Sequence, residues 1–168
     1  MKLLSEYVDR PLKLVKKSFF GFHYNLVAGT ELLAAFEYRL LFGFRGLVKG
    51  FGKPNIELYK ENIFSREVLV REEGKENPFA KYRRDFGFRT GHIELPNGNK
   101  FKVHLGFLDF TTVINNENEN TIASIKRTGL FSRNYSVQIK EKSDLLNENP
   151  WIIFLVLYLI IKRRQRRR

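Results

Sequence analysis

Between Leu12 and Glu141 apolar and polar residues alternate in short runs, broken at close intervals by turn-forming residues. A period of two marks a strand with one buried face. The clearest unit is "HIELPNGNKFKVHL": Ile93 and Leu95 alternate with polar neighbours, and Phe101, Val103 and Leu105 resume the pattern after "NGN". Asn97-Gly98 tolerates positive φ and predicts a two-residue hairpin turn. "TVINNENENTIASI" repeats the theme around a polar tip, and "NYSVQIKE" places Tyr135, Val137 and Ile139 on one face. "FFGFHYNLV", "GLVKGF", "NIELYKEN", "SREVLVREE" and "FAKYRRDFGF" read as further strands. Within "TELLAAFEYRLLFGF", residues 31–42 fit a long strand, and the helical spacing of Leu32, Leu33, Phe36, Leu40 and Leu41 supports a helix as well. The count is roughly ten to twelve short strands, the pattern of a barrel or sandwich.

The alternation stops at the C-terminus. Asn149 and Pro150 read as an N-cap and first helical position, and Trp151 to Ile161 offer no polar face at all. A helix apolar all round must be covered all round, by lipid or by protein. These residues rise about 16 Å as a helix, against a bilayer hydrocarbon core of about 30 Å. Protein is therefore the better cover, although a short membrane anchor at 151–161 is the competing reading. The expected fold is a closed antiparallel β-barrel of roughly twelve strands wrapped around a buried hydrophobic helix at about 150–161. It forms one domain over 1–161, with a basic tail at 162–168.

That layout resembles the tubby C-terminal-like superfamily, which includes the plant LURP-one-related proteins and the phospholipid scramblases. The matching stretches are "FAKYRRDFGFRTGHIEL", "GNKFKV", "TIASIKRTGLFSRNYSVQI" and "NPWIIFLVLYLI", and the likeness covers nearly the whole chain. It implies a twelve-stranded barrel around a C-terminal helix, and association with membrane lipid or phosphoinositide as in some members. The chain is similar to the small bacterial members. It departs from scramblase-like proteins in having no cysteine for palmitoylation and no acidic calcium loop. No local motif carries over the lipid-contacting residues of tubby proteins.

Composition changes the picture in one respect. Of 168 residues 30 are Lys or Arg and 18 Asp or Glu, so the formal net charge is +12. Half of that excess comes from Lys162, Arg163, Arg164, Arg166, Arg167 and Arg168. A second concentration holds Lys81, Arg83 and Arg84, with Lys75 and Arg89 nearby. These nine residues of the tail and of "KYRR" are the candidate contacts for an anionic lipid head group or membrane surface. A terminal charged run also fits a solvated tail. Nucleic acid would attract the same tail, but no base-reading module accompanies it.

Catalytic and metal chemistry find no support in the pattern. His23, His92 and His104 are isolated in sequence, and Glu117 and Glu119 sit at an expected hairpin tip. "GFRGLVKGFGKP" lacks the Lys-Ser/Thr step of a phosphate loop, so its glycines are expected to relieve crowding in a curved sheet. No serine has a nucleophile-elbow context. The expectation is a non-enzymatic binding protein without a cofactor, cytoplasmic and peripheral at the inner face of a membrane. The absence of cysteine suits a reducing compartment, and no signal-peptide pattern opens the chain.

Overall fold

The computed structural model describes residues 3–18, 21–39, 45–87, 89–106 and 111–166. Twelve strands follow one another: β1 (Leu12–Lys16), β2 (Phe22–Ala28), β3 (Glu31–Arg39), β4 (Arg45–Gly50), β5 (Lys53–Tyr59) and β6 (Glu67–Glu72). Then come β7 (Ala80–Arg84), β8 (Thr90–Glu94), β9 (Lys100–Leu105), β10 (Thr111–Asn115), β11 (Thr121–Arg127) and β12 (Tyr135–Ile139). Each strand pairs antiparallel with its sequence neighbours, and β1 pairs with β12 to close the barrel. Closure leaves no free edge for another chain to pair with. Residues 31–39 are strand, so the β reading of that segment holds, while 40–42 lie outside the described residues. The "NGN" link is longer than a two-residue turn. Leu95 N–H bonds Asn99 O and Gly98 N–H bonds Leu95 O, with Gly98 at φ +83°, so three residues make the turn and the last takes the left-handed conformation.

Alternation sorts the side chains. Leu12, Leu14, Leu26, Phe36, Leu58, Val70, Ile93, Phe101, Val103, Ile114, Ile125 and Val137 are fully buried and point inward. The outward positions between them include Lys13, His23, Lys81, Lys102 and Lys126, a wall suited to water. A short helix, α1 (Asp144–Glu148), leads to the long one, α2 (Ile152–Gln165). Every residue from Trp151 to Ile161 is buried inside the barrel. The enclosing strands thus supply the cover that an all-apolar helix demands. Phe36 stacks on Phe154 at 5.8 Å between ring centres, and Tyr38 meets Tyr158 at 5.6 Å. Gly46 makes room for these contacts, because a Cβ there would lie 2.6 Å from the Phe36 ring and 3.2 Å from Tyr158.

Two boundaries differ from the sequence reading. Asn149 closes α1, where its backbone and side-chain N–H groups both bond Leu145 O, and it does not cap α2 with its side chain. More consequentially, α2 does not stop at Ile161. It runs on through Lys162, Arg163 and Arg164 to Gln165, so much of the basic tail is the helix's last turn. Helix and charge are compatible there, since the C-terminal end of a helix favours cations.

Candidate anion-binding site

The C-terminal end of α2 is held to the barrel on three sides. Arg163 donates to the carbonyl of Gly106 beyond β9 at 3.1 Å, and Arg164 donates to the Tyr135 hydroxyl on β12 at 2.9 Å. Tyr38 on β3 donates to Gln165 Oε1 at 3.2 Å. Between the helix and strands β5, β6, β7 and β9 the packing opens into a cavity of about 380 Å³, a size typical of small-ligand sites. Its floor is apolar, made by Val68, Leu105, Leu159 and the rings of Tyr82 and Tyr158. Its rim carries Lys60, Arg66, Arg84, Lys162, Arg163 and Arg166. No Asp or Glu is among the described residues that line it.

Strand parity explains how three of those cations arrive together. Ile56 and Leu58 point inward on β5, and Lys60 is next in the same series. Val70 and Val68 point inward on β6, and Arg66 precedes them. Ala80 and Tyr82 point inward on β7, and Arg84 follows. Arg66 and Arg84 stand across from each other, with Arg84 N–H bonding Arg66 O at 3.3 Å. Like charges so placed destabilise a sheet. The helix adds Tyr158, Leu159, Lys162, Arg163 and Arg166, which share one face of its last turns.

This crowding is felt in the side chains themselves. Burial, then Arg166 and Arg84, pull Lys60 down to about 8. Burial, then Lys60 and Arg166, pull Lys162 down to about 8 as well. Arg84 is lowered too, by burial first and then by Arg166, but a guanidinium keeps its proton at neutral pH. Burial pushes Tyr82 up to about 12, and it raises Tyr158 further. Both phenols are therefore neutral and able to donate. The Tyr82 hydroxyl is buried and has no hydrogen-bond partner among the described residues. It fits beneath Arg84 because β8 offers Gly91 there: a Cβ at 91 would overlap the Tyr82 ring. Six positive groups around an apolar floor are the complement of a compact anion with several acceptor oxygens.

Of the residues singled out from sequence, the fold brings Lys162, Arg163, Arg166 and Arg84 to this cavity. Arg164 turns to the far side of α2. Lys81 lies on the outer wall beside Glu94, at 3.4 Å, and Glu67, and Arg83 is exposed on the same wall. The pleat of β7 sends these two away from Arg84. Lys75 and Arg89 are exposed outside the cavity, and Arg167 and Arg168 lie outside the described residues. Lys60 and Arg66 were missed, although each continues the inward series of its strand. Among the described residues no three His, Asp or Glu gather as metal ligands. Glu117 instead accepts from the Lys100 N–H at 2.7 Å and Glu119 pairs with Lys102 at 3.0 Å. His92 meets Asp85 at 3.1 Å. None of the described helices is long and apolar enough to cross a membrane.

No protein-family model matches the chain, and no curated protein matches it. Among solved structures it is similar to the X-ray structure of an Arabidopsis thaliana protein, AT5G01750. The TM-score is 0.61 at 16% identity, and the match covers 96% of each chain. At that identity the likeness is one of fold, and it extends over the whole barrel and its helix.

Proposed function

We propose that this barrel is a non-enzymatic binding protein for an anionic, phosphate-bearing ligand of head-group size, held in the cavity at the C-terminal end of α2. The observation that carries the reading is the meeting of six cations, from the ends of three strands and from the helix, around one apolar-floored cavity with no acidic residue among its described lining. An anion there offsets the burial and the like charges that depress Lys60 and Lys162. The closed barrel threaded by an apolar helix, with a fold likeness over the full chain, supports kinship with the tubby-like and LURP-one-related proteins.

Titration calorimetry with inositol hexakisphosphate tests this on the full chain. Binding is expected for the parent and is expected to weaken by at least about tenfold in Lys60→Glu and in Arg66→Glu, given charge-assisted contacts of roughly 1.5–3 kcal/mol each. Equal affinity in both variants would remove the cavity from the account. Preference for DNA or RNA, with a steep salt dependence and no response to these substitutions, would instead favour a nucleic-acid binder.

A further inference from the structure

The rim of the cavity mixes two kinds of cation, arginines and the lysines Lys60 and Lys162. An anion alone is served best by guanidinium groups, which stay charged and fork onto its oxygens. A lysine among arginines offers something else, an amine that can lose its proton and attack a carbonyl carbon. Lys60 has the surroundings for that chemistry. It is half-buried directly after β5, above the apolar floor of Val68, Leu105 and Leu159. Lysines on the outer wall face carboxylates: Lys49 meets Glu37 at 3.3 Å, Lys81 meets Glu94 at 3.4 Å and Lys102 meets Glu119 at 3.0 Å. Lys60 Nζ instead donates to the Ser65 carbonyl at 2.5 Å. The link that carries this carbonyl is itself braced, since Ser65 N–H bonds Asn62 O at 3.2 Å and Ser65 Oγ accepts from the Glu67 N–H at 3.1 Å. A carbonyl accepts an N–H from an amine and from an ammonium alike, so the nitrogen is positioned in either form. Burial, then Arg166 and Arg84, bring Lys60 to about 8, which puts the nucleophilic form within reach near neutral pH.

We infer that the cavity takes a phosphate-bearing aldehyde, gripped through its phosphate by the arginines and joined to Lys60 as an imine. The inference rests on the anion-binding reading and adds the chemical class of the ligand. The lone pair of the Lys60 amine forms a bond to the carbonyl carbon. Both amine hydrogens leave with the carbonyl oxygen as water, and a C=N bond remains. No electrons are gained or lost, so no oxidant or reductant is required. Arg66, Arg84, Arg163 and Arg166 would hold the phosphate first, which turns the attack into an intramolecular step. A cavity of about 380 Å³ leaves room for a ring between phosphate and carbonyl, and the rings of Tyr82 and Tyr158 give that ring an aromatic surface. Lys162 is the poorer nucleophile, because its Nζ lies 5.9 Å from the Tyr38 ring centre, a contact that favours the cation.

The test treats the full chain with pyridoxal phosphate or with pyridoxal, traps imines with borohydride and maps the adducts by peptide mass spectrometry. Pyridoxal phosphate is expected to label Lys60 at least about tenfold more than the exposed Lys13 and Lys75, and at least about tenfold more than pyridoxal does. Inositol hexakisphosphate should protect Lys60 from labelling. Lys60→Arg keeps the charge and removes the amine, so the visible imine absorbance of the parent should be lost. Equal labelling of Lys60, Lys13 and Lys75, or an undiminished adduct that moves to Lys162 in Lys60→Arg, would overturn the inference. If inositol hexakisphosphate binds by calorimetry while Lys60 stays unlabelled, the imine is wrong and the anion site stands. If it does not bind, and both aldehydes label Lys60 equally, the phosphate grip is absent and both readings fall together.

Discussion

The two mouths of the barrel share one helix and are finished in opposite ways. At the N-terminal end of α2 the protein closes on itself. Asn147 in α1 accepts from the Ser5 N–H at 2.9 Å and donates to the Ser5 hydroxyl at 2.8 Å. Lys53 donates to the carbonyl of Glu148 at 2.9 Å, and Trp151 packs edge-on against Phe79 at 5.8 Å. The small recess left there, about 210 Å³, is lined by Lys53, Glu72 and Glu148 among others, so charges of both signs meet. At the C-terminal end the larger cavity stays open and its described charges are of one sign. Electrostatic balance accompanies the closed end, and imbalance accompanies the open one. An imbalance that weakens the folded state without a packing reward is the mark of a site kept for something outside the chain.

The largest effect should come from breaking what both mouths share. Leu155 is fully buried at the middle of α2. Leu155→Asp puts an unpaired charge inside the barrel, at a cost of several kcal/mol, comparable to the whole stability of a domain. No cooperative thermal transition is expected by circular dichroism, and solubility should fall. A folded, cooperatively melting Leu155→Asp protein would mean that the helix is not the axle of the barrel. Next in size is a lesion at the closed mouth alone. Asn147→Ala removes two hydrogen bonds to Ser5 and leaves a partly buried N–H unsatisfied, for about 1–2 kcal/mol. Chemical denaturation should show that loss, while affinity for inositol hexakisphosphate stays unchanged. A shared loss would show that the mouths are coupled through the helix.

The open mouth should respond with the other sign. Lys60 lies beside like charges and is desolvated by its surroundings. Lys60→Met keeps the aliphatic stem and removes the charge. It should raise stability by about 0.5 kcal/mol, a figure discounted for the half-exposed position, and weaken anion binding in the same protein. A stabilised variant that binds less well separates a ligand site from a structural one. If Lys60→Met is destabilised, the lysine holds the fold through its bond to the Ser65 carbonyl, and the contrast between the mouths narrows.

The barrel was legible because its physics is local. Period-two runs, Gly98 and an all-apolar helix too short for a bilayer leave few arrangements, and the closed twelve-strand sheet is the one found. The cavity was less legible because it depends on which residues share an inward series. Lys81, Arg83 and Arg84 are contiguous in sequence, yet only Arg84 shares parity with buried Tyr82. Lys60 and Arg66 sit among loop residues and carry no motif. Only the continuation of "IEL" and "VLV" by one further step identifies them, and that requires knowing where each strand meets the mouth. The tail misled for a related reason. A run of Lys and Arg after an apolar stretch reads as a detached appendage, but a helix already held by twelve strands continues past its last apolar residue wherever the rim offers acceptors. Arg163 and Arg164 find theirs in the Gly106 carbonyl and the Tyr135 hydroxyl.

The smallest effect is a pH dependence confined to the open mouth. Lys60 and Lys162 are held at about 8 in the fold, below the ordinary lysine value near 10.5 that the unfolded chain keeps. Between about pH 8 and about pH 10.5 the unfolded chain therefore binds more protons than the folded one, and stability rises with pH across that window. Below about pH 8 both states are protonated, so the penalty is present in full and constant. An anion in the cavity favours the protonated lysines and reverses the preference. Sulfate isolates the effect, because its own charge is fixed across the window. Its affinity should be highest below about pH 8 and fall severalfold by about pH 10, with proton uptake on binding near about pH 8.5. Calorimetry in two buffers of different ionisation enthalpy reads that uptake directly. Arg66, Arg84, Arg163 and Arg166 stay charged throughout and set the affinity that remains, while Tyr82 and Tyr158 stay neutral until higher pH. Equal sulfate affinity on both sides of the window, with no proton taken up, would show that the anion meets the arginines alone, which moves its place from the cavity between β5 and the helix toward the rim.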